Sequence, residues 1–224
     1  MSGQVSPPQQ QWPRLRLDFY SSAVLMSRWE EDGRTVTYPV SVHDVVSACT
    51  NVEVSSGLLP ANTLFWKQRA NQAVLGIYVP ARRWQVQCET ANSSENQSYH
   101  LPMPPFVFVG SGTVYQIFAV KKRPKVNSEQ RRRNIPTRLY HAPCPNVHSN
   151  GSICQGNTSF PICSPQTVHQ ALQLFMESSL FNADLASGKC QSYPDDVREL
   201  WKELDGRKRF PVRELVQSNM AVID

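Results

Sequence analysis

Ten consecutive residues, 145 to 154, carry side chains that could perform acyl transfer; they read Pro-Asn-Val-His-Ser-Asn-Gly-Ser-Ile-Cys. Cys154 supplies a thiol, which is a nucleophile near neutral pH once a fraction of it ionises. Asn146 supplies an amide N–H₂ group that could donate to the oxyanion of a tetrahedral acyl intermediate. Pro145 restricts the start of this loop, and Gly151 permits the positive φ that turns it back. The residue types therefore favour acyl-transfer chemistry at Cys154.

Each of these side chains also has a structural interpretation. A solitary cysteine such as Cys154 is more often buried and inert, and the Asn146 side chain could close the loop by hydrogen bonding to backbone groups. A zinc site is a further alternative, since Cys144, His148, Cys154 and Cys163 are ligand types that zinc accepts. The sequence has no Cys-X-X-Cys pair, however, and zinc on Cys154 would block its attack. We therefore predict neither a metal nor a cofactor.

The order and spacing of these residues resemble the active-site segment of ubiquitin-conjugating (UBC) enzymes. In that family a His-Pro-Asn turn precedes the catalytic cysteine, and Asn146 stands eight positions before Cys154, as in the family. Further along, Ser164-Pro165 and the run to Asn182 resemble the family's Trp-Ser-Pro segment and the helix that follows it. The resemblance implies a UBC-like fold with Cys154 as its nucleophile.

A prokaryotic branch of that fold, PRTRC system protein B, has a similar layout. The similarity runs from Pro104-Pro105-Phe106 to Cys154-Gln155-Gly156. Two positions depart from the wider family: Cys144 replaces the histidine of the His-Pro-Asn turn, and Cys163 replaces the tryptophan before Ser-Pro. The first departure brings the loop geometry into question. The second bears on how an activating enzyme or a ligase would contact the loop.

The chemistry that the resemblance implies is transthioesterification. The Cys154 thiolate would take the C-terminal glycyl group of a modifier from an activating enzyme, and an amine would then attack the new thioester. Asp184 resembles an acidic residue that flanks the attacking lysine in the family, where a carboxylate would position the amine and help to accept its proton. Its alternative interpretation is an aspartate in a loop that ends a helix.

The resemblance also implies partners. They are a ubiquitin-like modifier protein, a ThiF-like activating enzyme and a deconjugating metallopeptidase. The alternative function is a catalytically silent UBC-like binding or scaffold module of a PRTRC-type mobile-element system. Retention of Asn146 and Cys154 favours the enzyme, whereas the replaced histidine and tryptophan favour the module.

Composition fits a globular protein, with 40% hydrophobic and 18% charged residues among 224. No apolar run approaches the roughly 20 residues needed to span a bilayer. Residues 1–11 lack a basic segment followed by an apolar stretch, so we expect no secretory signal. The six cysteines are scattered rather than arranged as a disulfide framework, and we expect a cytoplasmic protein that does not contact membranes.

Positive charge is concentrated in one short stretch, although the net charge is only +5. In the structural interpretation, this stretch is a solvated insertion. In the functional interpretations, it contacts an acidic protein or nucleic acid. No aromatic residue within the run could stack on bases, so we expect no nucleic-acid partner. The stretch contains Lys121, Lys122, Arg123, Lys125, Arg131, Arg132 and Arg133.

Apolar periodicity and turn residues predict the elements. The N-terminal region is predicted to form a strand from Leu15 to Trp29, a turn at 30–34, a return strand from Thr35 to Val40 and a helix from Val42 to Thr50 capped by Ser41. An antiparallel meander is predicted from Thr63–Lys67, Gln72–Val79, Trp84–Glu89, Phe106–Val109 and Val114–Val120, with a polar loop at 91–99.

Two helices are predicted after the active-site stretch. The first has Ser164 as its N-cap and Pro165 at its first position, and its apolar stripe is Val168, Leu172, Phe175 and Met176. The second runs from Pro194 to Leu204 and buries Val197, Leu200 and Trp201.

The predicted fold class is α+β and UBC-like, an antiparallel meander sheet packed against helices with an extra N-terminal hairpin and helix. The predicted domains are a disordered tail (1–13), the N-terminal hairpin and helix (14–60), the UBC-like core (61–206) and a C-terminal extension (207–224).

Overall fold

The computed structural model describes residues 15–30, 32–50, 56–69, 72–90, 95–124 and 137–222. The chain forms two compact units, Met1–Ser55 and Ser56–Asp224. The predicted tail and most of the predicted basic insertion lie outside the described residues. Within the described residues, no helix combines the length and apolar character needed to cross a membrane.

The first unit contains a three-stranded antiparallel sheet with the order β1-β2-β3. Its strands are β1 (Leu15–Phe19), β2 (Val24–Trp29) and β3 (Thr35–Val40), followed by helix α1 (Val42–Thr50). The Ser41 hydroxyl accepts a hydrogen bond from the Asp44 amide (3.2 Å), which caps α1. The prediction of one strand over 15–29 is wrong, because the Tyr20 amide donates to the Ala23 carbonyl (2.8 Å) and closes a turn there.

The described residues of the second unit form two sheets. The larger has six strands in the order β12-β10-β9-β8-β5-β4, and the smaller has the order β11-β6-β7. The strands are β4 (Thr63–Arg69), β5 (Gln72–Val79), β6 (Arg82–Cys88), β7 (Gln97–Met103), β8 (Phe106–Ser111), β9 (Val114–Ala119), β10 (Thr137–His141), β11 (Leu180–Phe181) and β12 (Gln217–Val222).

The predicted meander is correct for part of the larger sheet. Four of its strands pair antiparallel in the order β4, β5, β8 and β9. Strands β6 and β7 lie between β5 and β8 in sequence, but they pair with each other in the smaller sheet. The short strand β11 joins β6 in parallel. The prediction of a loop at 97–99 is wrong, because these residues belong to β7, in which Tyr99 and Leu101 are buried and His100 between them is exposed.

The helices pack against these sheets through the apolar faces that the sequence predicted. Helix α2 (Val168–Gln173) continues into a π-helical turn (Leu174–Ser178), and all four residues of its predicted stripe are buried. Helix α3 (Val197–Leu204) buries its predicted face and is capped by the Asp196 carboxylate. A single 3₁₀ turn (Val212–Glu214) precedes β12.

The predicted cap at Ser164 is present, although the regular helix begins three residues later than predicted. The Thr167 amide donates to the Ser164 hydroxyl (3.2 Å), and the Ser164 amide donates to the Thr167 hydroxyl (3.0 Å). The Val168 amide donates to the Ser164 carbonyl (3.1 Å), and the Thr167 hydroxyl donates to the Ile162 carbonyl (2.6 Å). A turn over 165–167 that Ser164 caps therefore leads into helix α2, which begins at Val168.

Candidate active-site loop

The stretch 145–154 lies along strand β9. Strand β10 pairs with β12 on one side and, on the other, with the end of β9 at Phe118 and Ala119. Beyond the end of β10, the loop forms hydrogen bonds with the same edge of β9. The Ile117 amide donates to the Gly151 carbonyl, and the Ile153 amide donates to the Tyr115 carbonyl, both at 2.9 Å. Hydrogen bonds to the central sheet therefore position the loop as far as Ile153, the residue before Cys154.

Gly151 makes the tight return of this loop. Its φ is +81°, the positive value expected from the sequence, and its amide donates to the His148 carbonyl (2.9 Å). The His148 amide donates in turn to the Ser152 carbonyl (2.8 Å). On its inner side Gly151 meets the ring of Phe118, and there is no room for a side chain.

Cys154 follows directly after a β-bridge between Val147 and Ile153. Its amide donates to the Asn146 carbonyl (2.8 Å), so the cysteine and the asparagine lie side by side on adjacent backbone segments. Cys154 is exposed, whereas the other described cysteines, at 88, 144, 163 and 190, are buried. The thiol at the end of the loop is thus open to an incoming group.

Asn146 is held in an unusual conformation by a second segment of the chain. Its φ is +58°, which an asparagine tolerates better than most residues do. Its backbone amide donates to the Asp184 carbonyl (2.8 Å). Its side-chain Nδ2 donates to Asn182 Oδ1 (2.9 Å), and its Oδ1 accepts from the Asn182 amide (3.1 Å). The side chain therefore ties the loop to residues 182–184.

Asn182 is the hub of this contact, and the sequence reasoning gave it no role. Its Nδ2 donates to Asp184 Oδ2, and its Oδ1 accepts from the Asp184 amide, both at 2.9 Å. An asparagine two residues before an aspartate is a typical local turn, and that spacing was the available signal. The Asp184 side chain is exposed, so its carboxylate lies on the surface next to the Asn146 segment.

The other side of the loop rests on buried polar groups. Lys189 is 3% exposed, and its ammonium donates to the Val147 carbonyl (2.6 Å). The indole N–H of Trp201 donates to the Pro143 carbonyl (2.8 Å). Cys144, at the position of the family's histidine, is fully buried, and that burial raises the pKa of its thiol to about 12. Burial lowers the pKa of Lys189.

The structure separates the residues of the zinc alternative. Cys144 is buried beneath the loop, Cys154 is on its surface, and Cys163 is buried against Gly110. His148 is exposed at the turn. Across the part of the chain that the structure describes, no three His, Cys, Asp or Glu side chains form a group that could hold a metal ion.

Comparison with known proteins gives one match. No curated protein and no solved structure matches the chain. A family model described as "Prokaryotic E2 family D" matches residues 41–218, from the N-cap of α1 to strand β12. This range is most of the chain and contains the whole loop around Cys154. The chain therefore belongs to prokaryotic E2 family D, a family of UBC-like proteins.

Proposed function

We propose that this protein is a ubiquitin-conjugating-like enzyme that carries a ubiquitin-like modifier as a thioester on Cys154 and passes it to an amine. The observation that carries the proposal is an exposed cysteine next to an asparagine that is fixed by hydrogen bonds on both its backbone and its side chain. Membership of a prokaryotic E2 family supports the same chemistry.

In the first step, the Cys154 thiolate attacks the thioester carbonyl of the modifier's C-terminal glycine on an activating enzyme. The new C–S bond forms as the bond to the activating enzyme's cysteine breaks, and that cysteine leaves as a thiolate. The backbone bond from the Cys154 amide to the Asn146 carbonyl holds the nucleophile beside the Asn146 segment. No metal is needed, because a thioester is already an activated acyl group.

In the second step, an acceptor amine attacks the thioester on Cys154. The tetrahedral intermediate collapses to an amide, the Cys154 thiolate leaves, and the amine gives up a proton. Asp184 would orient the amine and accept that proton; its exposed side chain and the bond from the Asn146 amide to its carbonyl support this role. Asn146 would donate to the oxyanion by exchanging its bond to Asn182 for one to the intermediate.

A catalytically silent binding module is the second candidate. The observation that favours it is the Asn146 amide, whose Nδ2 is already hydrogen bonded to Asn182 rather than free to face an oxyanion. Such a module would hold the modifier without a covalent bond. The two candidates differ in whether Cys154 ever carries an acyl group.

A thioester assay separates the two candidates. The protein is incubated with a ubiquitin-like modifier, a ThiF-like activating enzyme and ATP, and the products are run on gels with and without thiol. The enzyme predicts a thiol-sensitive band in the wild type that is lost in Cys154→Ala. Cys154→Ser is expected to give a thiol-resistant oxyester band instead.

Cys144→Ala is the matched control, because it removes a described but buried thiol from the same loop. It should keep the band once circular dichroism shows that the variant is folded. If the activating enzyme is loaded with modifier and the wild type still forms no band, Cys154 is not an acyl carrier and the module is correct. A band that survives Cys154→Ala would move the nucleophile to another residue.

A further inference from the structure

A concave surface distinct from the Cys154 loop is surrounded by positive charge. It lies where β6 begins and β7 ends, covered on one side by the segment 208–212, and encloses about 380 Å³. Four of its lining residues are cationic, and none of them carries a carboxylate. We call this surface the basic groove, defined by Arg82, Arg83, Lys208 and Arg209 around Met103 and Phe210.

The positive charge of the basic groove is largely uncompensated. The Arg82 guanidinium pairs with the Glu177 carboxylate at 3.7 Å, and both side chains are nearly half exposed. Among the described residues, no carboxylate forms a salt bridge with Arg83, Lys208 or Arg209. Like charges held around one concavity repel one another, and an anionic group placed among them relieves that repulsion.

The groove is also preorganised. The guanidinium carbon of Arg82 lies 3.4 Å from the centroid of the Trp84 ring, which sets the plane of this side chain. Three prolines, at 102, 104 and 105, flank Met103 and restrict the backbone at the groove's floor. The Pro105 carbonyl accepts a hydrogen bond from the Val120 amide (2.9 Å), which anchors that wall on the main sheet. Little ordering would therefore be required when a ligand binds.

The floor of the groove is apolar, which narrows the class of ligand. Met103 is 2% exposed, and Phe210 is partly buried against the core. A ligand that fills this space therefore needs an apolar group as well as negative charge. Nucleic acid fits less well, because its backbone needs an extended basic track and its bases need aromatic faces to stack on. Phe210 is the one aromatic residue among the lining residues, and it packs on the core.

We propose that the basic groove binds an acidic segment of a partner protein that places one apolar side chain against Met103 and Phe210. The ligand class follows from charge complementarity at the rim and from the apolar floor. This binding site uses none of the residues around Cys154, so it stands whether or not the cysteine carries an acyl group.

Fluorescence anisotropy with synthetic peptides tests this assignment on the full chain. The probe is a labelled twelve-residue peptide of Asp and Glu with one central Leu; the comparison peptides replace the acids by Asn and Gln, or the Leu by Ser. We expect the first peptide to bind with an affinity that falls as salt is added, and each comparison peptide to bind at least about tenfold more weakly. Equal binding of the Leu and Ser peptides would overturn the apolar part of the proposal.

Two triple variants with the same net charge locate the binding site. Arg83→Gln/Lys208→Gln/Arg209→Gln removes three cations from the groove, and the control removes three exposed cations elsewhere, as Lys67→Gln/Lys121→Gln/Lys122→Gln. The groove variant should weaken peptide binding by about tenfold or more, and the control variant should change it by less than about twofold.

Equal weakening by both triple variants would show that net charge alone attracts the peptide, and would overturn the proposal. It would also be overturned if a single-stranded oligonucleotide of the same charge bound as tightly as the peptide. Circular dichroism of both variants confirms that each is folded before the affinities are compared.

Discussion

Gly151→Ala is expected to be among the most disruptive single-methyl changes in the loop. The φ of Gly151 is +81°, a region that costs an L-residue about 1–2 kcal/mol. A Cβ atom there would lie 2.6 and 2.7 Å from two ring carbons of Phe118 and closer still to a third. Phe118 is 4% exposed, so its ring has little room to retreat, and overpacking of this kind costs about 1–3 kcal/mol. The sum is a loss of about 2–5 kcal/mol, a large part of a typical stability.

Gly156→Ala is the matched control, because it tests the backbone cost without the collision. Gly156 has φ +51°, yet nothing lies within 4 Å of the position its Cβ would occupy. Alanine reduces the freedom of the unfolded chain equally at both sites, so that contribution cancels in the comparison. Gly156→Ala should therefore lose only about 1–2 kcal/mol.

Chemical denaturation measures both losses, and Phe118→Leu identifies their origin. If the ring causes the excess loss in Gly151→Ala, then Phe118→Leu should recover part of it in the double variant, with a coupling energy of about 0.5–3 kcal/mol. Equal losses for Gly151→Ala and Gly156→Ala, or no coupling with Phe118, would refute the steric argument. Gly151→Ala should also form the thioester on Cys154 more slowly, since the loop that carries this cysteine bonds to β9 through the Gly151 carbonyl.

Three further predictions concern the groups that hold the loop. Asn182→Ala removes the residue that connects the Asn146 and Asp184 side chains. It should slow discharge of the thioester to an amine by about tenfold or more in single-turnover assays, while lowering the free energy of unfolding by only about 1 kcal/mol. Unchanged discharge would contradict this role. Lys189→Met leaves the Val147 carbonyl without its donor, which costs about 1–3 kcal/mol, and removal of a buried charge offsets part of that cost. Chemical denaturation should therefore show a net decrease in the free energy of unfolding. An increase would contradict the importance of this contact. The Cys144 thiol has a pKa of about 12 when folded against about 9 when unfolded, so only the unfolded state ionises in between and stability falls as pH rises above 9. Between pH 9 and 11, Cys144→Ala should therefore lose stability less steeply than the wild type, by about 1.4 kcal/mol per pH unit, and parallel pH profiles would contradict the buried thiol.

Local patterns predicted the elements well where each pattern has a local cause. The apolar run Gln72–Val79 and the Gly-Ser-Gly turn that precedes β9 correspond to a strand and a hairpin in the structure, because residue preferences for strand and turn act within a few residues. The buried stripe of α2 was predicted for the same reason. The first residue of α2 was predicted three residues too early, since residues 165–167 form a turn, capped by Ser164, before the regular helix begins at Val168.

Long-range pairing was beyond the sequence. Strand β12 joins β10, and β11 joins β6, across 76 or more residues of chain in each case, and no local pattern encodes such partners. The site shows the same limit. Cys154 and Asn146 were found from their spacing, whereas Asn182 was missed because its role depends on where the chain returns after α2.

The missing histidine is weaker support for a silent module than the sequence alone suggested. That replacement brought the geometry of the turn before Cys154 into question, yet the turn is held from several directions without it. Trp201 bonds the Pro143 carbonyl, Lys189 bonds the Val147 carbonyl, and Asn182 bonds the side chain of Asn146. Each of these donors or acceptors comes from a segment that follows the loop in sequence and packs against it. Because the loop's order rests on those segments, activity is expected to depend on Asn182 and Lys189 more than on the identity of residue 144.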